Sequence, residues 1–247
     1  MIVHIPHASK EVPGQVRNQI VLSEDELDAE LLRMTDAFTD QLFAIPDSIP
    51  IVYPISRCVV DPERFHSDAK EPMAKVGMGA VYTKTSDGKL LRQALTDVQR
   101  DELLNKYYWP HHHMLEKSVE EELQQQGSAL ILDCHSFPST PLLCDLDQST
   151  DRPAFCLGTD SYHTPPSLEE QLSNVIRAAG NSLGLNRPYT GTLVPLKYYQ
   201  KDPRVRSIMI EVRRDLYMDE TTGEKTPRFD ELRAFLEVLV KVALNFR

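Results

Sequence analysis

Basic charge is in short supply. With 27 Lys and Arg against 37 Asp and Glu, the chain carries a net charge of −10. Such a balance argues against nucleic acid or an anionic membrane as partner, since both are held by basic surface. No stretch of the sequence approaches the roughly 20 apolar residues of a membrane span. The opening residues, Met1-Ile2-Val3-His4-Ile5-Pro6, lack the basic and long apolar regions of an export signal, so a cytoplasmic protein is expected. The four cysteines, Cys58, Cys134, Cys144 and Cys156, show no C-x-x-C spacing, and free buried thiols are expected rather than disulfides or a structural zinc site. Repeats, low-complexity tracts and linkers are also missing. The 247 residues are therefore expected to form one domain, 1–247, long enough to bury a core.

What the chain does have is a recurring strand grammar. The apolar run from Ser128 to Leu132 gives way to Asp133-Cys134-His135-Ser136, and Pro138 then stops regular structure, which places polar groups at a strand's C-terminal edge. Ligands bind at that edge in open α/β sheets. The pattern returns in Ile2-Val3-His4-Ile5-Pro6-His7 and in Ile208-Met209-Ile210-Glu211-Val212-Arg213-Arg214. A lone histidine after a strand is commonly a hydrogen-bonded structural residue. Two histidines and a carboxylate supplied by distant strands are also the usual provenance of a catalytic zinc site. Glu211 inside so apolar a run is costly to bury without a partner. Cys134 alternates with His135 and so points to the other face, which speaks against a cysteine nucleophile.

Between the strands lie helices and loops. Ser23-Glu24-Asp25-Glu26 is a capping box, and Leu27, Leu31, Met34, Phe38 and Leu42 predict one helix, with Asp36 opposite the apolar stripe. A strand is expected over Ile49 to Ile55. Arg57 and Arg64, with an acid between them at Asp61, suit bidentate recognition of a carboxylate. Lys70 to Gly88 reads as a long loop and a candidate lid. Lys89 to Gln126 is helical in composition, with a break at Trp109-Pro110. His111, His112 and His113 follow; neighbours on a helix turn by about 100°, so at most one or two can face a site. A strand at Ala154 to Gly158, a helix from Ser167 to Leu183 stopped by Gly184, the strand Ser207 to Val212 and a helix from Asp230 to Asn245 complete an α/β chain with a mixed, mostly parallel sheet.

Taken in order, His4-Ile5-Pro6-His7-Ala8-Ser9, Arg57-Cys58-Val59-Val60-Asp61-Pro62-Glu63-Arg64, Gly77-Met78-Gly79-Ala80-Val81-Tyr82, Leu132-Asp133-Cys134-His135-Ser136 and Ile210-Glu211-Val212-Arg213-Arg214-Asp215-Leu216-Tyr217-Met218 resemble the N-formylglutamate amidohydrolase family, related to zinc carboxypeptidases and aspartoacylases. The resemblance implies a phosphorylase/hydrolase-like fold and one catalytic zinc, for which another divalent metal could substitute. It implies zinc ligands at His7 and His135, with Asp36 as the third and Glu11 as the alternative. Lys10 stands where carboxypeptidases carry the Glu of their His-x-x-Glu pair, and Glu63 where the wider group carries Asn.

The implied reaction is hydrolysis of N-formyl-L-glutamate to formate and L-glutamate, a late step of histidine degradation. Glu211 would be the general base, Asp133 would orient a ligand imidazole, and Arg57, Arg64, Arg213 (or Arg214) and His113 would contact the small-molecule substrate. The alternatives are hydrolysis of another N-acyl amino acid or small peptide amide, or a noncatalytic metal-binding scaffold.

Overall fold

The computed structural model describes residues 1–246. Six strands, β1 (Ile2–Ile5), β2 (Ile49–Val52), β3 (Ala129–Phe137), β4 (Phe155–Gly158), β5 (Leu183–Leu185) and β6 (Val205–Arg213), form one sheet in the order β2-β1-β3-β6-β4-β5. Every neighbouring pair is parallel except β4 with β6. The sheet is the mixed, mostly parallel one expected. From β1 the chain goes outward to β2 and then crosses to β3 on the other side, which makes the gap between β1 and β3 a switch point where ligands settle.

The helices in chain order are α1 (Gly14–Arg17), α2 (Glu24–Met34), α3 (Thr39–Leu42), α4 (Asp97–Leu103), α5 (Trp109–Gln126), α6 (Pro166–Ala178) and α7 (Phe229–Leu244). Val3, Ile5, Leu132, Cys134, Ile208, Ile210 and Val212 pack on one face against Leu168, Leu172 and Ile176 of α6 and Leu236, Leu239 and Val240 of α7. Ile2, Ile131 and Val205 pack on the other against Leu115 and Val119 of α5. Each such side chain, fully buried, contributes about 1.5–3 kcal/mol. With both faces covered the strands read as continuous apolar runs. Alternation then explains the polar insertions: His4, Asp133, His135 and Glu211 all continue the α5 face beyond its apolar half.

Several boundaries differ from the sequence reading. Strand β3 runs on through Phe137, so Asp133, His135 and Ser136 lie within it. The helix expected across Leu27 to Leu42 breaks in two. The capping box forms as expected, but Thr35 turns extended and Phe38 adopts a left-handed conformation at φ 65°. A non-glycine residue held there costs on the order of 1–3 kcal/mol, and such strain gathers at functional sites. Helix α4 instead continues into α5 through a π-turn over Leu104–Tyr108, where the Trp109 amide donates to Leu104. The wider turn accommodates Pro110, which lacks an N–H and would otherwise break the ladder. Helix α6 stops at Ala178, and Leu183 and Gly184 belong to β5.

Candidate active site

Three carboxylate and imidazole side chains meet over the β1–β3 gap. His7 follows β1, His135 stands in β3, and Asp36 occupies the break between α2 and α3. The break brings Asp36 there: its amide donates to the His7 carbonyl at 3.0 Å. Asp36 is thus buried rather than on a polar helix face. Its Oδ2 lies 3.1 Å from His135 Nδ1 and 3.6 Å from His7 Nδ1. The remaining ring nitrogens are tied elsewhere, His7 Nε2 donating to Asp61 at 2.9 Å and His135 Nε2 to Asp133 at 3.2 Å. Both Nδ1 atoms therefore face one carboxylate oxygen, and the three donors lie within 4.8 Å of one another.

The group fits a metal ion. His7 Nδ1 is buried and has no hydrogen-bond partner, an orphan that native interiors seldom keep without reason. Two imidazole nitrogens and a carboxylate oxygen, with a cavity beside them, make the donor set of a catalytic zinc site, and carboxylates on the far ring nitrogens fix the tautomers such a site needs. The electrostatics agree. Burial raises the Asp36 pKa, but His135, His7 and the Arg214 guanidinium outweigh it and hold the carboxyl well below its ordinary range. Burial lowers the His135 pKa, but Glu63, Asp133 and Asp36 outweigh it and carry it well above that of a free imidazole. The space between them favours a positive charge. Glu11, the alternative third ligand, is exposed and outside the group.

A cavity of about 410 Å³ opens on this group, lined also by Arg33, Arg57, Glu63, Arg64, Glu211 and Arg214. Glu211 is the register partner of His135. Burial pushes its pKa up to about 8, and its Oε2 is buried and unpartnered. Arg57 spends Nε and Nη2 on Asp61 and Tyr82. Arg64 keeps a buried, unpartnered Nε. Part of the long loop forms the cavity wall through Glu71, Met73 and Met78. The loop is anchored where Glu30 accepts from the Ser86 amide at 2.6 Å.

Two expected substrate contacts are not in the cavity. Arg213 donates to Asp215 and to the Arg152 carbonyl, away from it. Strand alternation ends at Arg213, and a 3-10 turn over Arg214–Leu216 swings Arg214 onto Asp36 and Ser136 instead. His113 is exposed on the outer side of α5, stacked on Trp109. The inward histidines are His111, bonded to His4 at 2.8 Å, and His112, bonded to the Pro62 carbonyl at 2.9 Å; burial drops their pKa to about 2 and about 4.

Sequence reasoning assigned no role to Asp61 or His4. Asp61 accepts from His7, Arg57 and Tyr82, and the Arg57 guanidinium foremost, then the His7 contact and Arg64, outweigh burial and hold its pKa well below the usual carboxylate range. Its signal was present, an acid directly after the apolar pair Val59-Val60, as Asp133 follows Leu132.

Known proteins match the chain along most of its length. The model of the N-formylglutamate amidohydrolase family matches residues 1–218. The chain is 27% identical over 231 residues to the N-formylglutamate deformylase of Pseudomonas putida, an overlap of 90% of this chain and 82% of that protein. The crystal structure of N-formylglutamate amidohydrolase from Ralstonia eutropha superposes with a TM-score of 0.84 at 24% identity, over 98% of this chain and 92% of that one. A gene product of Agrobacterium tumefaciens shares the fold at a TM-score of 0.67 and 19% identity, over 99% and 89% of the two chains. With sheet topology, site geometry and a match over 218 of 247 residues in agreement, the chain belongs to the N-formylglutamate amidohydrolase family.

Proposed function

We propose that the chain hydrolyses N-formyl-L-glutamate to formate and L-glutamate with one divalent metal ion, zinc by its donor set, held by His7, Asp36 and His135. The observation that carries the reading is the pair of imidazoles whose Nε2 atoms are fixed by Asp61 and Asp133 while His7 Nδ1 stands buried and unpartnered before Asp36. The Pseudomonas relative is named for the same deformylation. Zinc in that position supplies a Lewis acid for the formyl oxygen and eases deprotonation of the attacking water.

The chain's own groups do the rest. Glu211, with its buried Oε2 uncommitted, takes a proton from water as the oxygen adds to the formyl carbon. It returns that proton to the amide nitrogen as the C–N bond breaks, so formate and the amino acid leave. Arg57, whose Nη1 is left without a protein partner, and Arg64 hold the carboxylates of the glutamate moiety. Arg214 keeps Asp36 ionised and in place.

The test is formate release from N-formyl-L-glutamate beside N-formyl-L-aspartate and N-acetyl-L-glutamate, before and after chelation. Turnover of the first compound, abolished by the chelator and restored by zinc, is expected. Zinc-loaded protein that releases nothing from it overturns the substrate, and full activity in metal-stripped protein overturns the metal.

A further inference from the structure

A second cavity of about 260 Å³ lies beside the first. Glu63, Arg64, Phe65, Thr190 and Met209 line both and form the partition. Met209 is two residues before Glu211 on β6, so its side chain stands in the same row as the candidate base. It is buried, yet among the described residues it joins none of the four apolar clusters. Its space comes from its register partner on β4, Gly158, where a Cβ would collide with the Met209 methyl and with the Gly191 carbonyl. An unbranched thioether with three rotatable bonds is the side chain best able to yield at such a wall.

The two cavities differ in chemistry. Beyond the partition most polar side chains are spent: Tyr108 donates to the Arg64 carbonyl, His112 to that of Pro62, and Thr192 pairs with Ser207, while the Tyr199 hydroxyl only accepts from Gln200 at 3.3 Å. Asp133 is shared among His4, His135 and the Leu193 amide. What remains is apolar wall from Leu193, Val194 and Leu196. The arginines other than Arg64, and the unpartnered atoms of His7 and Glu211, belong to the first cavity. Glu63 at the threshold repels a carboxylate. The charged end of an acylated amino acid therefore stays in the first cavity, and only its uncharged end matches the second.

We propose that the second cavity is a subsite for an uncharged acyl chain and that Met209 sets the acyl length the site accepts. The inference rests on the amide-hydrolase reading above. Bond breaking is unchanged: water adds to the acyl carbon and the amine leaves with the proton, the acid now carrying a chain.

The experiment compares N-butyryl-L-glutamate with N-formyl-L-glutamate in the zinc-loaded chain, in Met209→Ala and in Met209→Ala/Leu196→Trp. Each methylene admitted to an apolar pocket is worth about tenfold or more, so the butyryl-to-formyl ratio of kcat/KM rises at least about tenfold in Met209→Ala. The tryptophan, filling the second cavity from its outer wall, erases the gain. An unchanged ratio, or a gain that survives the tryptophan, overturns the proposal. Should Met209→Ala not fold, Met209→Val carries the same expectation. If the unaltered chain releases formate from no formyl amide, the formylglutamate reading fails separately. Calorimetric binding of butyrate against formate then decides the subsite: butyrate tightened by the substitution upholds it, and equal affinities overturn it.

Discussion

Two groups of histidine and carboxylate lie one behind the other on the same face of the sheet. His7, Asp36 and His135 form the outer one; His4, Glu63 and Asp133 form the inner one, and in each the donor atoms fall within 4.8 Å of one another. Proximity does not tell them apart. Hydrogen bonding does. In the inner group His4 reaches Asp133 through Nδ1 and His111 through Nε2, both at 2.8 Å. Asp133 also accepts from His135 and, at 2.8 Å, from the Leu193 amide. In the outer group His7 Nδ1 has no partner, and Asp36 is its nearest carboxylate. In the inner group only Glu63 Oε1, at the cavity wall, is left without a partner, so His4 and Asp133 read as the scaffold that aims the outer group.

The largest effect expected at the outer group comes from Glu211. Glu211→Gln keeps the shape and removes the basicity, so turnover falls about 10²–10⁴-fold while zinc content stays at that of the unaltered chain. A variant that loses its zinc would place Glu211 among the ligands instead. Next come the carboxylates behind the imidazoles. Asp133→Asn and Asp61→Asn each weaken zinc affinity about 10–100-fold, measured by competition with a chelator, because the imidazoles lose the charged acceptor that fixes them. Unchanged affinity in both would dissolve the distinction between the two groups.

Much of this was legible in the sequence, and the rest was hidden for physical reasons. Alternation marks His135 and Glu211, which fall in one row with Asp133 and Met209, whereas His7 was marked only by following the apolar strand Ile2–Ile5. The contrast between outer and inner groups was not legible, since His4 and His7 sit in one motif and differ only in which neighbours their rings meet. Asp36 was assigned to a helix because the apolar spacing runs on past Met34. What ended that helix was tertiary, the Asp36 amide donating to the His7 carbonyl. Arg213 was preferred to Arg214 because alternation puts it in the row of Glu211, but it is the strand's last residue, and the turn that follows carries Arg214 inward instead.

A smaller effect tests the inner group as scaffold. His4→Ala removes a fully buried ring that bonds Asp133 and His111. Leaving buried polar partners unsatisfied costs about 1–3 kcal/mol, seen as a lower Tm. Zinc is expected to bind this variant stoichiometrically, since the proposed ligands are His7, Asp36 and His135. A His4→Ala protein that folds at the original Tm but no longer holds zinc would make the inner group a metal site in its own right.

The arginines carry the same contrast between spent and unspent groups, and Arg213 is expected to show the smallest effect of all. Arg213 has committed Nε to Asp215 at 2.7 Å and Nη1 to the Arg152 carbonyl, whereas Arg64 lines the cavity with a buried Nε that makes no hydrogen bond and only a loose 3.5 Å ion pair with Asp61. Arg64→Ala removes a charge-assisted contact to substrate, a loss of about 1.5–3 kcal/mol that raises KM about tenfold or more. Arg213→Ala touches no cavity wall, and KM stays within about twofold, the usual range for a surface substitution. A KM raised equally by both would mean that substrate draws Arg213 out of its ion pair with Asp215. Spent donors would then be recruitable, and the hydrogen-bond criterion separating the two histidine groups would have to be tested with substrate bound.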